Sequence, residues 1–289
     1  MTVNLTTLDA HEQPNPELKG TWKTYSRTEH ADFVNHPDID DLSIPEKAAE
    51  FQLAGSIPTE TLLTAFRSLE GNDWQPSSDI TNAPIYFHPL LPDSDVRFKP
   101  KDPDVHKPLS IKQVLDRRLS WVTLGGQYDW TNRVYPGQKP PEFPPDISGL
   151  LQTLFPETLA QAAIVNFYTP GDTMMMHRDV SEETDKGLVS LSIGCDALFM
   201  IAPNDYNARS SELEKEFGRN PYLLLRLRSG DAIYMTRDSR FAWHGVPKVL
   251  KGTCPDFLAD WPAEEGKYEE WKGWMKNKRI NLNVRQMRD

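Results

Sequence analysis

The sequence predicts a mainly β fold with flanking helices (α+β), built on a jelly-roll or barrel core. Two observations predict it. From residue 121 onward, short runs of β-branched and aromatic residues follow one another, separated by glycine, proline or charged clusters. Before residue 121 the chain is mixed, with short helical patterns and many prolines. Many short strands after a mixed first part indicate antiparallel sheets with helices packed outside them.

The N-terminal part divides into two predicted regions. Residues 1–45 are polar and interrupted by prolines, so we expect an extended arm that lies on the body of the protein. Residues 46–120 are expected to supply helices and loops that support the core. Thr59 is a plausible N-cap for a helix with apolar residues at helical spacing. Proline-rich loops follow to about residue 110, and 110–118 has the pattern of a short amphipathic segment.

The third predicted region, residues 121–289, is the β-rich domain. Its predicted strands occupy residues 121–124, 163–168, 188–193, 197–201, 223–227, 231–235 and 280–284. Helices are predicted at 156–163 and 264–276. The stretch 250–278 lies between two predicted strands, and we interpret it as an insertion that ends in a tryptophan-rich helix.

Composition limits the possible function classes. The formal net charge of −10 has the wrong sign for a protein that holds nucleic acid by bulk electrostatics, so any such contact must be local and weak. No run of about 18 apolar residues predicts a membrane span, and the first residues lack a secretory signal pattern. The 2 cysteines suit a reducing compartment. We therefore expect an intracellular protein of the nucleus, cytoplasm or mitochondrion.

A His-x-Asp pair provides the first candidate for a metal site. The triplet occurs three times, beginning at His30, His36 and His177. The first two lie in the polar arm, where solvated surface pairs are expected. His177 and Asp179 lie beside predicted strands, and residues i and i+2 of a strand point to the same face. These two side chains could therefore bind one ion from a rigid edge.

His244 is the candidate for a third ligand, because it is the only histidine after His177. It follows the predicted strand 231–235, and in a barrel a return strand would lie beside the first pair. Two histidines and one carboxylate leave adjacent positions open on an octahedral Fe(II) ion, as in non-haem iron oxygenases. The alternative is a packed core histidine between Trp243 and Gly245. On these residues alone, both interpretations stand.

Two arginines near the C-terminus favour the first interpretation. Arg279 and Arg285 are six residues apart in the strand-like run RINLNVR, so they fall on the same face. Two inward arginines are costly unless anions meet them, and the guanidinium fork matches a carboxylate. A dicarboxylate co-substrate would supply such anions. An exposed basic C-terminus is the alternative, but it leaves the alternation with Ile280, Leu282 and Val284 unexplained.

Five motifs carry a family resemblance. They are WVTLGGQYDW, NFYTPGDTMMMHRD, SGDAIYM, SRFAWHGVPKV and RINLNVRQ. In these motifs the sequence resembles the AlkB family of Fe(II)/2-oxoglutarate-dependent dioxygenases, most closely the eukaryotic homologue-1 branch, over residues 121–285. The resemblance implies a double-stranded β-helix (jelly-roll) core. It also implies that His177, Asp179 and His244 hold Fe(II), with 2-oxoglutarate as co-substrate and O2 as oxidant.

The resemblance assigns further residues to the co-substrate and to the substrate. Asn166 and Tyr168 would help to hold 2-oxoglutarate, Arg279 and Asn281 would meet its distal carboxylate, and Arg285 would lie near the carboxylate that chelates iron. An aromatic lid would begin within residues 46–120. In the lid, Trp121 and Tyr128 match positions that contact the target nucleotide, although a tryptophan buried on a strand needs no ligand.

Ser181 and Glu182 are the remaining substrate candidates. In the bacterial member of the family, an acidic residue two positions after the metal aspartate contacts the alkylated base. Here that position is Ser181, as in the homologue-1 branch, and Glu182 follows it. The departure puts a bulky damaged base in doubt as the substrate. Both residues also fit an ordinary loop in the polar run SEETDK.

Three functions follow as hypotheses. The first is oxidative demethylation of N-methylated DNA or RNA, with release of formaldehyde, succinate and CO2. The second is a 2-oxoglutarate oxygenase that acts on a protein such as a histone, which the acidic net charge favours. The third is a noncatalytic binding module on the same fold, which the complete set of ligand and co-substrate residues disfavours. Fold analogy does not decide the substrate.

Overall fold

The computed structural model describes residues 5, 8–67, 95, 97–136, 139–217 and 220–289. Within these residues, two five-stranded sheets face each other, and a two-stranded hairpin stands apart. The first sheet has the order β1-β9-β8-β11-β6 and the second the order β10-β7-β12-β5-β4. The pairs are antiparallel except β1 with β9, which is parallel. This arrangement confirms the predicted jelly-roll core.

The strands are β1 (Ile39–Asp40), β2 (Arg97–Phe98), β3 (Leu109–Ser110), β4 (Trp121–Gly125), β5 (Ala162–Tyr168), β6 (Met174–His177), β7 (Leu188–Gly194), β8 (Ala197–Ala202), β9 (Leu223–Leu227), β10 (Ala232–Met235), β11 (Trp243–Val249) and β12 (Arg279–Arg285). The α-helices are α1 (Pro16–Arg27), α2 (Pro45–Ala48), α3 (Thr59–Arg67), α4 (Ile111–Arg117), α5 (Pro145–Leu154), α6 (Tyr206–Phe217) and α7 (Asp256–Ala259). Short 3-10 helices lie at His30–Phe33, Arg237–Ser239, Glu269–Trp271 and Met275–Asn277.

Side chains alternate between two apolar layers along each strand. On β8, Phe199 points to the layer between the sheets, while Leu198 and Met200 point to the outer layer under α1 and α6. A third layer lies on the outer face of the second sheet, where α5 contributes Leu151. The period of two therefore places every second residue of a central strand in the space between the sheets, where the candidate site lies.

The seven predicted strands are all present, but five other strands of the described residues were not predicted. Three of them, β1, β2 and β3, have two residues each. The other two are β6, which carries His177, and β11, which carries His244. The run of methionines in β6 contains no β-branched residue, and β11 contains Gly245 and Pro247, which strand patterns normally exclude. Their place in the sheet comes from pairing rather than from local preference: β11 pairs with β8 and β6, and β6, at the sheet edge, pairs with β11.

Three predictions about helices were wrong. Residues 156–163 do not form a helix; the helix is α5, which begins at Pro145, a favourable first helical position. The stretch 250–278 contains α7 and two 3-10 turns rather than a tryptophan-rich helix, because Gly266 and Gly273 adopt positive φ and interrupt it. Residues 1–45 are not extended throughout, since α1 begins after the N-cap Asn15.

Of the remaining predictions for the first 120 residues, those for two helices can be compared with the structure. Helix α3 begins at Thr59 itself rather than after it, and α4 matches the amphipathic segment, with a capping box at Ser110. The predicted proline-rich loops fall largely on 68–94, outside the described residues. The proposed boundaries at 45 and 120 stay predictions. In the described part of the chain, no helix is both long enough and apolar enough to cross a membrane.

Candidate active site

Strands β6 and β11 bring the two histidines together. The strands pair antiparallel, and His244 lies directly opposite His177. Their ring centroids are 4.4 Å apart. A register shift follows at Gly245, where an added Cβ would lie 2.8 Å from the carbonyl oxygen of Met174. Glycine therefore lets β11 approach β6 closely beside the histidine pair.

Asp179, just after β6, completes a group of three metal-binding side chains. Its Oδ1 lies 4.0 Å from His177 Nε2, and its Oδ2 lies 3.7 Å from His244 Nε2. One ligand atom of each residue lies within 4.8 Å of the other two. Two imidazoles and one carboxylate at this spacing can hold an iron ion on one face and leave other positions open.

Backbone carbonyls fix the tautomer of both rings. His177 Nδ1 lies 2.8 Å from the oxygen of Met175, and His244 Nδ1 lies 2.9 Å from the oxygen of Ala242. A carbonyl only accepts, so each Nδ1 carries the proton and donates it. Each Nε2 then presents a lone pair toward the space beside Asp179. This arrangement orients both rings for metal binding.

Burial also keeps His244 neutral. Desolvation, followed by the proximity of His177, lowers the pKa of His244 from 6.5 to about 4. The ring therefore has a free lone pair at neutral pH. A protonated imidazole cannot bind a metal, so the low pKa favours the state that a ligand requires.

Arg285 holds Asp179 in its charged form. Burial alone would raise the pKa of Asp179, and it is the largest single cause. The charge of Arg285, together with smaller contributions from His244, His177 and Arg240, outweighs it, so the pKa lies well below its ordinary value. Arg285 Nη2 donates to Asp179 Oδ2 at 2.8 Å, and Asn283 Nδ2 donates to the same atom at 3.3 Å. One carboxylate oxygen is thus anchored, and the other stays toward His177. The predicted inward face of β12 is confirmed at Arg285, which is 3% exposed.

Glu182 lies behind this pair rather than at the surface. Its side chain is fully buried, accepts from Arg240 Nη2 at 3.0 Å and lies 3.5 Å from Arg285 Nε. Arg240 also donates to the backbone oxygen of Asp179 at 2.9 Å. Two carboxylates and two guanidinium groups therefore balance in one buried cluster. The charge of Glu182 is thus used within this cluster, and its expected contact with a substrate stays a prediction.

Arg279 faces a small buried cavity beside the metal-binding group. It is 1% exposed, and its Nη2 donates to Ser192 Oγ at 3.0 Å. Its Nε and Nη1 are buried and have no hydrogen-bond partner among the residues that the structure describes. Desolvation lowers the pKa of Arg279, which shows the cost of this burial. Two unpartnered donors of one guanidinium fit the two oxygens of a carboxylate.

The remaining predicted co-substrate residues line the same cavity. Asn166, Tyr168 and Asn281 lie there with Arg279, His177 and His244. The register explains this: Arg279 pairs with Tyr168 and Asn281 with Asn166 across β12 and β5. The Tyr168 ring stacks on the Arg279 guanidinium at 5.2 Å. The cavity is thus lined by one cation, Arg279, and by two of the three metal-binding side chains, His177 and His244.

These residues fit an Fe(II) ion with bound 2-oxoglutarate. The fit depends on two observations: the nitrogens of the two histidines converge with Asp179, and Arg279 keeps buried donors without partners. Buried donors are satisfied in almost all proteins, so unpartnered ones beside a cavity point to an absent anion. The ring atoms are the usual nitrogen ligands of non-haem iron.

A second, open pocket leads from the surface to His177 and Asp179. Trp121, Tyr128 and Trp130 line one side of it. Trp121 is 43% exposed, so it is not the buried strand tryptophan that was the alternative. Its ring lies 5.2 Å from that of Trp130, and Tyr128 hydroxyl lies 3.0 Å from Ser181 Oγ. The structure thus brings the predicted Trp121, Tyr128 and Ser181 together at the mouth of the metal-binding group.

Several residues of the site were not predicted. Trp130 ends the quoted motif WVTLGGQYDW, and its exposure and ring contact are the signals of its place. Asn283 falls on the inward face of β12, which the alternation already indicated. Arg178, Arg240 and Tyr135 were missed because their partners lie far along the chain, and no local pattern marks them.

Comparison with known proteins gives one family and several relatives. The family model described as the 2OG-Fe(II) oxygenase superfamily matches residues 87–285. A protein of Pyricularia oryzae named N6-methyladenosine RNA demethylase ALKB1 is 56% identical, with all of both chains covered. A protein of Cryphonectria parasitica named N6-methyladenosine RNA demethylase ALKBH is 77% identical over 74% of this chain and 96% of its own. The tRNA demethylase abh1 of Schizosaccharomyces pombe is 40% identical over 63% and 57% of the two chains.

Proposed function

The chain belongs to the 2OG-Fe(II) oxygenase superfamily, in its AlkB-like homologue-1 branch, and we propose that it demethylates N6-methyladenine in RNA. The observation that carries the proposal is the convergence of His177, Asp179 and His244 beside Arg279, whose Nε and Nη1 have no hydrogen-bond partner among the described residues. The three side chains would hold Fe(II), and Arg279 would hold the distal carboxylate of 2-oxoglutarate.

The chain's own residues prepare the site in three ways. The carbonyls of Met175 and Ala242 aim the histidine rings, and Arg285 keeps Asp179 charged. Asn166, Tyr168 and Asn281 shape the cavity around the co-substrate. Burial of this cavity excludes water, so the reaction is directed to a substrate placed at the open pocket.

The bound Fe(II) and 2-oxoglutarate would supply the chemistry of the reaction. When loaded, Fe(II) with 2-oxoglutarate and O2 inserts one oxygen atom into a substrate C–H bond and the other into succinate, with loss of CO2. Hydroxylation of an N-methyl carbon gives an N-hydroxymethyl group. This group releases formaldehyde and leaves the free amine.

The open pocket supports a planar base as the substrate. Trp121 and Trp130 present exposed rings close together, and Tyr128 closes the side toward Ser181. Enzymes that modify a base take it out of the stack and hold it against aromatic side chains. We infer that the target base stacks on Trp121 or Trp130 with its methyl group toward the metal-binding group.

RNA is favoured over DNA because the three relatives described above, each at least 40% identical, are named RNA or tRNA demethylases, whereas a relative of Arabidopsis thaliana that is named a DNA N(6)-methyladenine demethylase is 34% identical. An RNA substrate also supports the predicted intracellular location. A protein substrate remains the second candidate, and the observation that favours it is the net charge of −10. An acidic chain attracts a basic histone tail more readily than a polyanion.

One experiment tests the proposal and separates the candidates. The protein is incubated with Fe(II), 2-oxoglutarate and ascorbate, together with an N6-methyladenine oligoribonucleotide, the same sequence as DNA, or a methylated histone peptide. We expect formaldehyde release and conversion of N6-methyladenine to adenine, measured by mass spectrometry. The RNA substrate should be demethylated fastest. Formaldehyde release from the histone peptide, and from neither oligonucleotide, would instead support a protein substrate.

The metal assignment has a matched control within the chain. His177→Ala should abolish both RNA demethylation and the slow turnover of 2-oxoglutarate without substrate. His30→Ala removes the histidine of another His-x-Asp triplet, which is exposed on the N-terminal part. It should retain full turnover. If His177→Ala kept wild-type turnover, the proposed ligand set would be wrong.

A further inference from the structure

Residues 8–15, called the entrance segment, form one wall of the open pocket that leads to His177. The pocket is lined by Glu12 and Ala10 as well as by Arg133 and Arg178. Glu12 Oε2 pairs with the Arg178 guanidinium, and Ala10 oxygen accepts from Arg133 Nη1. Two cations at the mouth of the pocket are thus satisfied by oxygen atoms of the chain's own N-terminal part.

Arg178 is held in an unusual way for a cation. Its guanidinium lies 4.8 Å above the Trp243 ring, its Nη1 donates to Asn204 Oδ1 at 2.8 Å, and its side chain is 6% exposed. In the described part of the chain, its buried Nε has no hydrogen-bond partner. A guanidinium this buried needs an anion, and within the described residues Glu12 is the anion that it pairs with. The Arg178 fork is therefore positioned in advance for an oxyanion.

Arg133 lines the same pocket and belongs to the loop that carries Trp130. It has a positive φ of 56° and a half-buried side chain. A base that stacks on the aromatic side would carry one phosphate before it and one after it along the strand. Two guanidinium groups that line the pocket match two such phosphates, since the fork binds phosphate oxygens in pairs.

We propose that Arg178 and Arg133 form the phosphate subsite for the nucleotides that flank the target base, and that Glu12 occupies it until nucleic acid displaces it. The inference rests on the proposed function, because it requires a nucleic acid at the open pocket. It also explains how an acidic protein can have a local nucleic-acid site. In the free protein, Glu12 and the Ala10 oxygen occupy the two arginines that would bind phosphate.

Displacement is physically reasonable. The Glu12 side chain is 38% exposed, and an ion pair with so exposed a partner is weak. Its other oxygen accepts from Asn207 Nδ2 at 2.7 Å, a bond that water replaces easily at the surface. The segment ends at α1, whose Leu18 is fully buried. Asn207 also holds the end of the segment, since its Nδ2 donates to the Gln13 oxygen at 2.9 Å and its Oδ1 accepts from Asn15 N at 2.7 Å. Residues 8–12, with Glu12, can therefore leave the pocket while Gln13, Asn15 and α1 stay in place.

The test measures RNA binding directly. The full chain is titrated, without 2-oxoglutarate, against a fluorescein-labelled oligoribonucleotide with one N6-methyladenine, and Kd is taken from anisotropy at several salt concentrations. We expect Glu12→Gln to bind about fivefold more tightly, because the competitor is lost. The slope of log affinity against log salt concentration should become steeper by about 0.7 in this variant. The reason is that a phosphate now binds an arginine that no longer pairs with the Glu12 carboxylate.

Two further variants show whether Glu12 acts through Arg178. Arg178→Gln should bind RNA about tenfold more weakly, and adding Glu12→Gln to it should give no further gain. Because Arg178 packs on Trp243, Arg133→Gln provides a second measurement at a less buried position, where weaker binding is also expected. Glu29→Gln is the matched control: it removes the same charge from an exposed residue of the N-terminal part and should leave Kd unchanged.

Two results would overturn the inference. One is an equal Kd for Glu12→Gln and the wild type, and the other is an equal gain from Glu12→Gln with and without Arg178. Either result, with RNA still bound and demethylated, would leave the proposed function standing. If neither the wild type nor any variant bound RNA, the proposed function and this inference would both be wrong.

Discussion

At the scale of residues, Arg279 and Arg285 share one face of a strand but have different tasks. The charge of Arg285 is used by Asp179 and Glu182, and its Nη1 donates to Tyr135 hydroxyl at 3.3 Å. Burial raises the pKa of Tyr135 to about 12, so this phenol stays neutral and adds no charge. Arg279 has a neutral hydroxyl as partner and two free donors. An incoming dicarboxylate therefore meets its strongest attraction at Arg279.

We expect Arg279→Gln to raise the KM for 2-oxoglutarate by about 10- to 100-fold, because a hydrogen bond from a charged donor is lost. The KM for RNA should change little, since Arg279 lies in the buried cavity and not in the open pocket. Both constants are measured by succinate formation. Arg288→Gln, an exposed arginine just beyond β12, is the control and should leave both unchanged. An unaltered 2-oxoglutarate requirement in Arg279→Gln would remove this residue from the site.

The residues that the sequence revealed are those with a local pattern. His177 and Asp179 have the strand spacing i and i+2, and Arg279 and Arg285 have the alternation of an inward face. The pairing of Arg178 with Glu12 has no such pattern, because the partners are 166 residues apart. Glu182 shows the opposite error: its polar run indicates a surface loop, but Arg240, from a distant segment, buries it.

At the scale of elements, the distance between β6 and β11 decides whether the histidines converge. The two strands meet at Gly245, where the Met174 carbonyl leaves no room for a Cβ. The Trp22 indole on α1 also donates to this carbonyl, at 3.0 Å. The carbonyl is therefore fixed from both sides, and it cannot move away from a larger residue at 245 without breaking a hydrogen bond.

We expect Gly245→Ala to lower the free energy of unfolding by about 1–3 kcal/mol through overpacking. It should also weaken Fe(II) binding by about 10-fold or more, because the second histidine is pushed away from the first. Urea denaturation and metal titration measure these effects. Gly149→Ala on α5, where an added Cβ meets nothing within 4 Å, is the control and should not destabilise the protein. If Gly245→Ala bound Fe(II) as tightly as the wild type, β6 and β11 would accommodate the added methyl group without separating the histidines.

Element types were predicted best where local preference and the sheet agree. The runs of β5, β7 and β12 are rich in β-branched or aliphatic residues, and each is a central strand or flanks one. Strands β6 and β11 lack that preference, and the pairing of each with neighbouring strands overrides it. Helix α1 was missed because Pro14 and Pro16 look like breakers, whereas Pro16 occupies the first turn, where its missing N–H costs nothing.

The parallel strand β1 is held at the sheet edge by an ion pair that depends on pH. Arg228 donates to both oxygens of Asp41 at 2.6 Å, and this hydrogen bond lowers the pKa of Asp41 from 3.8 to about 2. A folded-state pKa below the unfolded value stabilises the fold above pH 3.8, and that stabilisation is lost as the pH falls toward 2.

We therefore expect Asp41→Asn to lower the free energy of unfolding by about 1–2 kcal/mol at neutral pH, with the bidentate pair lost. The difference from the wild type should shrink as the pH falls from 3.8 to about 2. Asp32→Asn, an exposed aspartate of the 3-10 helix before β1, is the control and should lie within about 0.5 kcal/mol of the wild type. Denaturant unfolding across this pH range measures both. A difference that does not depend on pH would contradict the ion-pair explanation.

At the scale of the whole molecule, three apolar layers stack, and the site lies in the middle one. The outer layer of the first sheet is closed by α1, whose Leu18 and Tyr25 pack with Met176 and Trp243. These last two residues are neighbours of the histidines in the chain, so the N-terminal helix supports the metal-binding strands from behind. Helix α1 thus belongs to the fold and is not an accessory.

The last prediction follows from this packing. Leu18 is fully buried, and its truncation leaves a cavity against β6 and β11, so we expect Leu18→Ala to cost about 2–5 kcal/mol of unfolding free energy. Leu53→Ala, at a leucine 83% exposed, should cost little.

Because the cavity opens behind the histidines, Leu18→Ala should also weaken Fe(II) binding. If α1 were independent of the site, the substitution would lower the free energy of unfolding but leave Fe(II) binding unchanged. Denaturant unfolding with and without Fe(II) distinguishes the two: if α1 supports the site, the stabilisation by added iron is smaller in Leu18→Ala than in the wild type, and an equal gain would show that the helix and the site are not coupled.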